Sequence, residues 1–477
     1  MPAPDAAATT RRDDIIARLA AIVPEDALIA APEELRAYEC DAYTAHACPP
    51  LAVVLPRTTE QVSAVLAACN EQGVPVIPRG AGTSLSGGAL PTADAVVVGL
   101  ARMNRVLEVD TANRVIRVEV GRTNLSVSEA VAEHGFHYAP DPSSQLACLI
   151  AGNIAMNAGG AHCLKYGVTT NNLLGLRMVL MDGTVIDLGG AHPEAPGLDL
   201  MGVICGSEGQ LGIVTEATLR ILPKAEGARP VLIGFDAAAT AGECVSAIIR
   251  DGLLPVAIEF MDRPCIRATD DFSGAGYPDC EAMLIVEAEG SEAEIDAQLA
   301  RIRDVAERFQ PMALREARDG AEAAAIWKGR KAAFGAMGRI SDYICLDGVI
   351  PVSALGEVLG EVGAAAGRAG LSVANVFHAG DGNLHPLILF DANKPGELER
   401  AETLGAEILG LCVAAGGCLT GEHGVGVEKR ELMGTQYSQT DLEAQMRVKD
   451  VFDPAWLLNP EKVFPLAASA TRRRRAA

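Results

Sequence analysis

The stretch Pro78 to Gly88 reads PRGAGTSLSGG and places four glycines and several small residues around Arg79. An apolar run, Val74 to Ile77, precedes this loop, and a second one, Val96 to Leu100, follows it. Because glycine has no Cβ atom, the backbone N–H groups of such a loop can approach a phosphate closely. An ordinary glycine-rich turn has the same composition, so this loop by itself leaves both interpretations open.

Two common nucleotide-binding motifs do not match this loop. The segment from Gly82 to Gly87 has the spacing of a Walker A motif, but Gly88 and Ala89 replace its lysine and hydroxyl residue. A GxGxxG dinucleotide fingerprint would need a glycine at Leu85 and a helix directly after it. The loop can therefore hold a dinucleotide only in a different fold.

Two further regions have the same small, polar character. One comprises Pro140 to Ser144 and Gly152 to Gly160, and the other runs from Gly206 to Gly212 into the apolar segment Ile213 to Thr215. Each lies next to a predicted strand, and three such regions in one half of the chain exceed what turns require. We interpret them as walls of one ligand cradle.

Composition narrows the class of protein. A length of 477 residues predicts two or more domains, and the hydrophobic share of 49% indicates a globular chain. The formal net charge of −22 argues against nucleic-acid binding. The twelve cysteines include no CxxC pair, so we expect neither a zinc ribbon nor a cysteine-ligated iron–sulfur cluster on this chain.

Met1 to Arg18 lacks the apolar region of a signal peptide, and no run of 18 apolar residues occurs. We therefore expect a cytoplasmic protein that is not inserted in a membrane.

Local patterns predict alternating helices and strands in the first half, which makes it α+β or α/β. Thr58 and Gln61 have the spacing of a helix-capping box, and Asp182-Gly183 predicts a hairpin turn. The segment from Pro223 to Pro230 resembles a linker. Beyond it, strands and helices predict a second α+β domain built on an antiparallel sheet.

Histidines form a second cluster of candidate functional residues. The motif HAGDGNLH spans His378 to His385, and its Asp-Gly-Asn centre predicts a turn between antiparallel strands. Side chains on both sides of such a turn can bind one metal ion, and Glu422 and His423 offer further ligands or a base. Alternatively, these histidines cap strand ends by bonding to backbone groups.

A cationic stretch from Trp327 to Lys331 offers a binding group for an anion. Arg330 is the candidate for a two-pronged hydrogen bond to a substrate carboxylate. The alternative is a solvated helix face, which we favour for Lys328 and Lys331.

Together these motifs resemble the flavin-linked 2-hydroxyacid dehydrogenases of the vanillyl-alcohol oxidase/p-cresol methylhydroxylase superfamily, in the branch that acts on glycolate, D-lactate and D-2-hydroxyglutarate. The three loops, the HAGDGNLH motif and the GEHG motif at Gly421 to Gly424 carry this resemblance, which covers roughly residues 50 to 465.

The resemblance implies an α+β protein with a p-cresol methylhydroxylase-type FAD-binding domain (residues 1–225), a cap domain with an antiparallel sheet (226–415) and a C-terminal segment that returns to the flavin (416–477). It implies that FAD is bound by the three loops and by one residue near the C-terminus. The cofactor-binding residues so implied are Pro78, Arg79, Gly80, Ala81, Gly82, Thr83, Ser84, Pro140, Asp141, Pro142, Ser143, Gly152, Asn153, Ala155, Asn157, Gly159, Gly160, Gly206, Glu208, Gly212, Ile213, Val214 and Asn459.

Other site residues also follow from the resemblance. His378, His385 and Glu422 would bind a divalent metal ion, namely zinc, manganese or iron, and His423 would be the catalytic base. Thr83 stands where relatives with covalently bound flavin carry a histidine, which implies non-covalent FAD. Leu387 replaces an asparagine of some relatives and favours a short substrate.

The hypothesis is therefore the oxidation of glycolate or D-lactate to the 2-oxoacid, by hydride transfer from a metal-bound substrate to flavin N5. His423 would remove the hydroxyl proton, and Arg330 would orient the carboxylate. The expected partners are an iron–sulfur subunit and a second flavin-fold subunit, which would give a peripheral link to the inner membrane. The alternatives are a dehydrogenase of longer D-2-hydroxyacids, a non-catalytic subunit of an oxidase complex and a metal-dependent hydrolase.

Overall fold

The computed structural model describes residues 6–193 and 197–476, so the predicted outer domain limits at residues 1 and 477 lie outside the described residues. The chain forms two compact units. Unit 1 comprises the described chain up to Gly159, Val168–Pro223 and the described chain from Glu422 onward, and unit 2 comprises Gly160–Gly167 and Lys224–Gly421. The predicted domain boundaries after residues 225 and 415 stay predictions.

The helices and strands are numbered in chain order. The α-helices are α1 Ala6–Ile22, α2 Pro32–Leu35, α3 Thr59–Glu71, α4 Asn124–Val131, α5 Ile150–Met156, α6 Cys163–Tyr166, α7 Thr169–Asn172, α8 Met201–Ile204, α9 Ala238–Arg250, α10 Arg263–Ser273, α11 Glu292–Glu307, α12 Gly320–Gly338, α13 Leu355–Ala369, α14 Glu397–Ala414, α15 Met433–Gln436, α16 Gln439–Phe452 and α17 Leu466–Ala476. The strands are β1 Leu28–Ile29, β2 Ala52–Val54, β3 Val76–Arg79, β4 Val96–Gly99, β5 Val106–Asp110, β6 Val115–Glu119, β7 Phe136–His137, β8 Leu173–Val179, β9 Val185–Gly189, β10 Ile213–Arg220, β11 Leu222–Pro223, β12 Gly227–Phe235, β13 Ala257–Asp262, β14 Ala282–Gly290, β15 Ala313–Glu316, β16 Asp342–Cys345, β17 Gly348–Val349, β18 Ser372–His378, β19 Asn383–Leu384 and β20 Pro386–Phe390.

Unit 1 contains two main sheets. The first has the order β1-β2-β4-β3, in which β4 runs parallel to both β2 and β3. The second is antiparallel, with the order β5-β6-β10-β8-β9. The glycine loop of Pro78 to Gly88 begins in β3 and leaves the sheet before β4. An apolar core lies between these sheets and helices α1, α3 and α4.

Unit 2 is built on an antiparallel sheet with the order β15-β12-β14-β13-β18. The sheet branches at β18, with β19 and β17 in one branch and β20 and β16 in the other. Helices α10 and α12 share an apolar core with this sheet. Strands β13 and β18 are adjacent although the chain makes an excursion of more than a hundred residues between them. This adjacency later brings Glu259 beside His378.

Local sequence signals set several elements. Thr58 caps α3 by accepting a hydrogen bond from the Gln61 backbone N–H at 3.3 Å, as predicted. The Gln61 side chain accepts from the backbone N–H of Arg57, one residue before the cap, so the reciprocal bond of the capping box is displaced by one position. The hairpin at Asp182-Gly183 is confirmed, because β8 and β9 pair antiparallel on either side of it. The α+β class is confirmed as well.

Other elements differ from the sequence prediction. The predicted linker is in part a strand, because β12 begins at Gly227 and pairs with β14 from the Gly227–Gly290 pair onward. Only a helix face at Trp327 to Lys331 was considered from the sequence, and the full length of helix α12 was not predicted, since its interior glycines are poor helix formers. Gly329 is needed there because an added Cβ would lie 2.4 Å from the Tyr277 hydroxyl oxygen, which donates a hydrogen bond to the Ile326 carbonyl.

A buried lysine links helix α16 to two other parts of unit 1. Lys449 Nζ donates to the backbone oxygens of Gln210 (2.8 Å) and Leu458 (2.9 Å) and forms an ion pair of 2.9 Å with Asp453. Its side chain is 1% exposed and that of Asp453 is fully buried. The lysine therefore fixes the third glycine loop to the C-terminal segment.

We expect the substitution Lys449→Met to lower the free energy of unfolding by roughly 3–5 kcal/mol, because it leaves the buried Asp453 carboxylate without its counterion. Urea unfolding followed by circular dichroism measures this change. Arg447→Met, on an exposed position of the same helix, is the matched control and should change stability by less than about 0.5 kcal/mol. Equal stability of the two variants would contradict the assigned role.

Candidate active site

The three glycine loops meet in unit 1 around Glu208. Its backbone N–H donates to the Ala155 carbonyl at 2.7 Å, which joins the third loop to the second. The Asn459 side-chain amide donates to the Gly88 and Glu208 carbonyls at 3.1 and 2.7 Å, which joins the first loop to the third. The sequence prediction that these loops form walls of one cradle is consistent with these bonds.

The Glu208 carboxylate holds the C-terminal segment against these loops. It accepts hydrogen bonds from the backbone N–H groups of Val425 at 2.6 Å and Gly426 at 2.7 Å. Burial raises the pKa of the Glu208 carboxyl above its usual value, although these two donors act in the opposite direction. Glu208 and Asn459 were predicted to bind FAD, and the structure assigns protein partners to both side chains.

Close backbone approaches explain two of the glycines. Gly209 has a φ of +70°, and an added Cβ would lie 2.6 Å from Pro78 Cγ. Gly424 has a φ of +85°, and its Cβ would lie 2.4 Å from Met156 Cε and 2.9 Å from the Glu208 carboxyl carbon. Larger residues would therefore separate the loops.

The remaining predicted cofactor residues differ in their exposure to solvent. Ala81, Ser143 and Gly206 are exposed. Partly exposed are Pro78, Gly80, Gly82, Thr83, Ser84, Asp141, Gly152, Ala155 and Asn157, and buried are Arg79, Pro140, Pro142, Asn153, Gly159, Gly212, Ile213 and Val214. Gly160 belongs to unit 2. The exposed and partly exposed residues have an accessible backbone and little side-chain bulk, which suits a phosphate-bearing cofactor, so this part of the predicted set fits FAD.

Two buried polar residues of the predicted set bond within the protein. Arg79 donates to the Cys40 carbonyl at 2.8 Å and lies over the Tyr38 ring. The Asn153 side-chain oxygen accepts from the Asn124 amide at 3.0 Å. Both side chains therefore stabilise the loops through hydrogen bonds within the protein.

In unit 2, His378 is part of a buried charge cluster. Its Nδ1 lies 2.7 Å from Glu259 Oε1, and the other carboxylate oxygen of Glu259 lies 2.6 Å from Arg330 Nη2. Glu259 is directly opposite His378 in the pairing of β13 with β18, and its side chain is fully buried. The predicted catalytic Arg330 thus has Glu259 as its ion-pair partner.

The charges of this cluster balance one another. Burial would raise the pKa of the Glu259 carboxyl, but the Arg330 guanidinium and the His378 imidazole outweigh this effect, so that its pKa lies below the usual value. Glu259 is therefore ionised and acts only as a hydrogen-bond acceptor.

His385 lies beside His378, as the predicted turn requires. Their rings meet edge to face with centroids 5.2 Å apart, and a ligand nitrogen of one lies within 4.8 Å of a ligand nitrogen of the other. The turn contains a short 3₁₀ segment, Ala379–Asp381, and pairs His378 with Asn383. His385 is therefore a diagonal neighbour of His378, and the two buried imidazoles fit a divalent ion.

Asp347 is a further buried carboxylate near this pair. Its Oδ1 lies 3.5 Å from His385 Nε2, and its Oδ2 accepts from the Thr420 hydroxyl and from the Gly421 N–H at 3.0 Å. Asp347 thus fixes the end of unit 2 at which the chain passes into unit 1 with Glu422.

The predicted third ligand and the predicted base lie at the start of this last segment of unit 1. Glu422 Oε2 accepts from the Gly159 N–H at 3.0 Å, and the His423 carbonyl accepts from the Ser86 hydroxyl at 2.9 Å. Both residues therefore join the GEHG motif to the glycine loops. Their roles stay predictions.

Glu259 and Asp347 were missed by sequence analysis. Glu259 interrupts an apolar run, Val256 to Met261, and a carboxylate within such a run was the available signal. Asp347 stands before a glycine and looks like an ordinary turn residue.

Within residues 6–193 and 197–476, the helices are too short or too polar to cross a membrane.

Solved structures share this fold. The chain superposes on 4-ethylphenol oxidase from Gulosibacter chungangensis with a TM-score of 0.82, covering 98% of this chain and 99% of the other, at 18% identity. For p-cresol methylhydroxylase the TM-score is 0.80, with coverages of 96% and 98% and the same identity. At this identity the likeness concerns the fold alone, which is the predicted p-cresol methylhydroxylase type.

Sequence relatives are much nearer. The glycolate oxidase subunit GlcD of Escherichia coli K12 is 48% identical over 456 residues, which cover 95% of this chain and 91% of the relative. The D-lactate dehydrogenase of Archaeoglobus fulgidus is 32% identical, with coverages of 89% and 95%. Residues 50–189 match the family model of an FAD binding domain, and residues 224–463 match that of the C-terminal domain of FAD linked oxidases. The chain therefore belongs to the FAD-linked oxidases.

Proposed function

We propose that this protein oxidises a short D-2-hydroxyacid, glycolate or D-lactate, to the corresponding 2-oxoacid with non-covalently bound FAD. The observation that carries the proposal is the buried pair of His378 and His385, held by charged partners, in a chain of the FAD-linked oxidase family. The relatives named for glycolate and D-lactate support the choice of substrate.

The loops of unit 1 would hold FAD. Thr83 stands at the position where a histidine would be needed for a covalent bond to the flavin. FAD supplies the acceptor for a hydride from the substrate Cα when it is bound. Backbone N–H groups of the first loop would bind the pyrophosphate, and the small residues of the other loops leave room for the rest of the cofactor. Glu208 and Asn459 would keep these walls in place from behind.

His378 and His385, with Glu422 as a third ligand, would hold a zinc, manganese or iron ion. Such an ion supplies charge that favours loss of the substrate hydroxyl proton when it is bound. His423 would take that proton from the hydroxyl oxygen. Arg330 would orient the carboxylate, because a guanidinium has five N–H donors and its ion pair with Glu259, at 2.6 Å from Nη2, need not use all of them.

Apolar residues beside His385 favour a short substrate. The Phe334 ring lies 6.4 Å from the His385 ring, and Cys345 pairs with Leu387 across β16 and β20. Both Cys345 and Leu387 are buried. Phe334, Cys345 and Leu387 carry no charge that could pair with the distal carboxylate of a longer hydroxyacid, which supports a short substrate over D-2-hydroxyglutarate.

The electrons removed from the substrate would leave this chain through a partner protein. An iron–sulfur subunit is the expected acceptor, with a second flavin-fold subunit and a peripheral link to the inner membrane through these partners. A non-catalytic flavin-fold subunit remains the competing proposal, and it predicts that no hydroxyacid bleaches the flavin.

We expect His423→Asn to slow anaerobic bleaching of the flavin by glycolate and D-lactate by roughly 10²–10⁴-fold, because the hydroxyl proton loses its acceptor. Stopped-flow absorbance measures this rate, and His134→Asn, at an exposed position, is the control. An unchanged rate in His423→Asn would remove this residue from the mechanism. A wild-type protein that no 2-hydroxyacid bleaches would contradict the proposed function as a whole.

We expect Glu208→Gln to weaken FAD retention about tenfold, because an amide cannot accept hydrogen bonds from both Val425 and Gly426 through two oxygens and the loops lose their common anchor. The ratio of flavin to protein absorbance after dialysis measures retention. Glu216→Gln, a partly buried carboxylate in β10, is the matched control. Loss of FAD from both variants alike would assign the effect to general destabilisation.

A further inference from the structure

Glu259 is a fully buried carboxylate that bonds at once to a histidine and to an arginine. We propose that Glu259 is a positioning residue, which fixes the ring and the tautomer of His378 so that Nε2 is the nitrogen able to bind a divalent cation. Arg330 serves as the counterion of this carboxylate. The inference rests on the proposed function only in that it needs a cation at His378.

The tautomer follows from the hydrogen bond. A carboxylate that lies 2.6 Å from the permanently charged Arg330 guanidinium has no proton to donate, so at 2.7 Å His378 Nδ1 must be the donor. A neutral imidazole with its proton on Nδ1 has its lone pair on Nε2, which is the form that ligates a metal. A carboxylate behind a ligating histidine also orients the ring and raises its basicity.

The fold explains why Glu259 can do this. It faces His378 across two neighbouring strands, β13 and β18, so the bond spans a single strand spacing. Arg330 approaches from helix α12, and its side chain is 4% exposed. The Arg330 guanidinium takes the place of water in compensating the buried negative charge of Glu259. It contacts one carboxylate oxygen and leaves the other one to the histidine.

A second carboxylate, Glu287, lies on the same face of the sheet and has a similar set of bonding partners. Glu259 pairs with Ile285, and Glu287 follows two residues later on β14, so both side chains lie on one face. Glu287 accepts from Trp327 Nε1 at 2.7 Å and lies 3.2 Å from His162 Nε2. Trp327 and Arg330 are three residues apart on α12, so each carboxylate bonds to one histidine and to one residue of this helix. Glu287 differs in that its histidine is not a predicted ligand.

This pair gives a matched experiment. The full-length, FAD-loaded protein is stripped of metal with a chelator, and its affinity for Zn²⁺ is measured by competition with a fluorescent chelator. We expect Glu259→Gln to weaken the affinity about 10–100-fold and Glu287→Gln to leave it within about twofold of the wild type. The variant His385→Gln lacks the other histidine of the proposed site, so the Zn²⁺ that it still binds measures binding elsewhere on the chain.

The double variant Glu259→Gln with Arg330→Met removes the unpaired guanidinium that the single variant leaves buried, and we expect it to show the same loss of Zn²⁺ affinity. Wild-type affinity in a folded Glu259 variant, or an equal loss in Glu287→Gln, would overturn the inference. Flavin bleaching by glycolate in the wild type separately decides the proposed function, so the two can fail independently.

A measurement on the wild type does not depend on how the variants fold. In protein labelled with ¹⁵N-histidine and loaded with Zn²⁺, the His378 signals, assigned by their absence in His378→Gln, should show a protonated Nδ1 and an unprotonated Nε2. A proton on Nε2 in the Zn²⁺-loaded wild type would overturn the proposed role of Glu259.

Discussion

The hydrogen bonds of Glu208 are the constraint on which the arrangement of unit 1 depends. Its carboxylate binds the N–H groups of Val425 and Gly426, and its own backbone bonds to the second loop and to Asn459. A buried carboxylate is costly unless donors satisfy it, so the loops and the C-terminal segment must come together for the fold to be stable. The same contacts give the proposed FAD cradle its shape.

Unit 2 uses buried carboxylates in a similar way, but it connects them to histidines. Glu259 holds His378, Glu287 lies beside His162, and Asp347 lies between His385 and the chain at Gly421. Each carboxylate has protein partners that replace water, which makes the imidazole orientations definite. The chemistry proposed for this protein needs such fixed imidazoles, because a metal ion and a substrate proton both require a lone pair at a defined nitrogen.

Much of the fold and part of the site could be predicted from short stretches of sequence. The turn at Asp182-Gly183 and the cap at Thr58 are local, since neighbouring residues make the decisive bonds. The proximity of His378 and His385 follows likewise from a single turn. The strand at Gly227 and the full length of the helix that contains Gly329 could not be predicted, because pairing with β14 and packing against Tyr277 override weak local preferences.

The sequence by itself determined the glycine loops, the histidine motif and the resemblance that joined them to FAD and hydroxyacids. Only the tertiary structure decided which carboxylates support them. Glu259 is 119 residues from His378 in the chain, and Asn459 is 371 residues from Gly88. The physical reason is that a buried charge is stabilised by whichever donors the folded backbone places within about 3 Å of it, and the order of strands in a sheet is not encoded in the local pattern of any one of them.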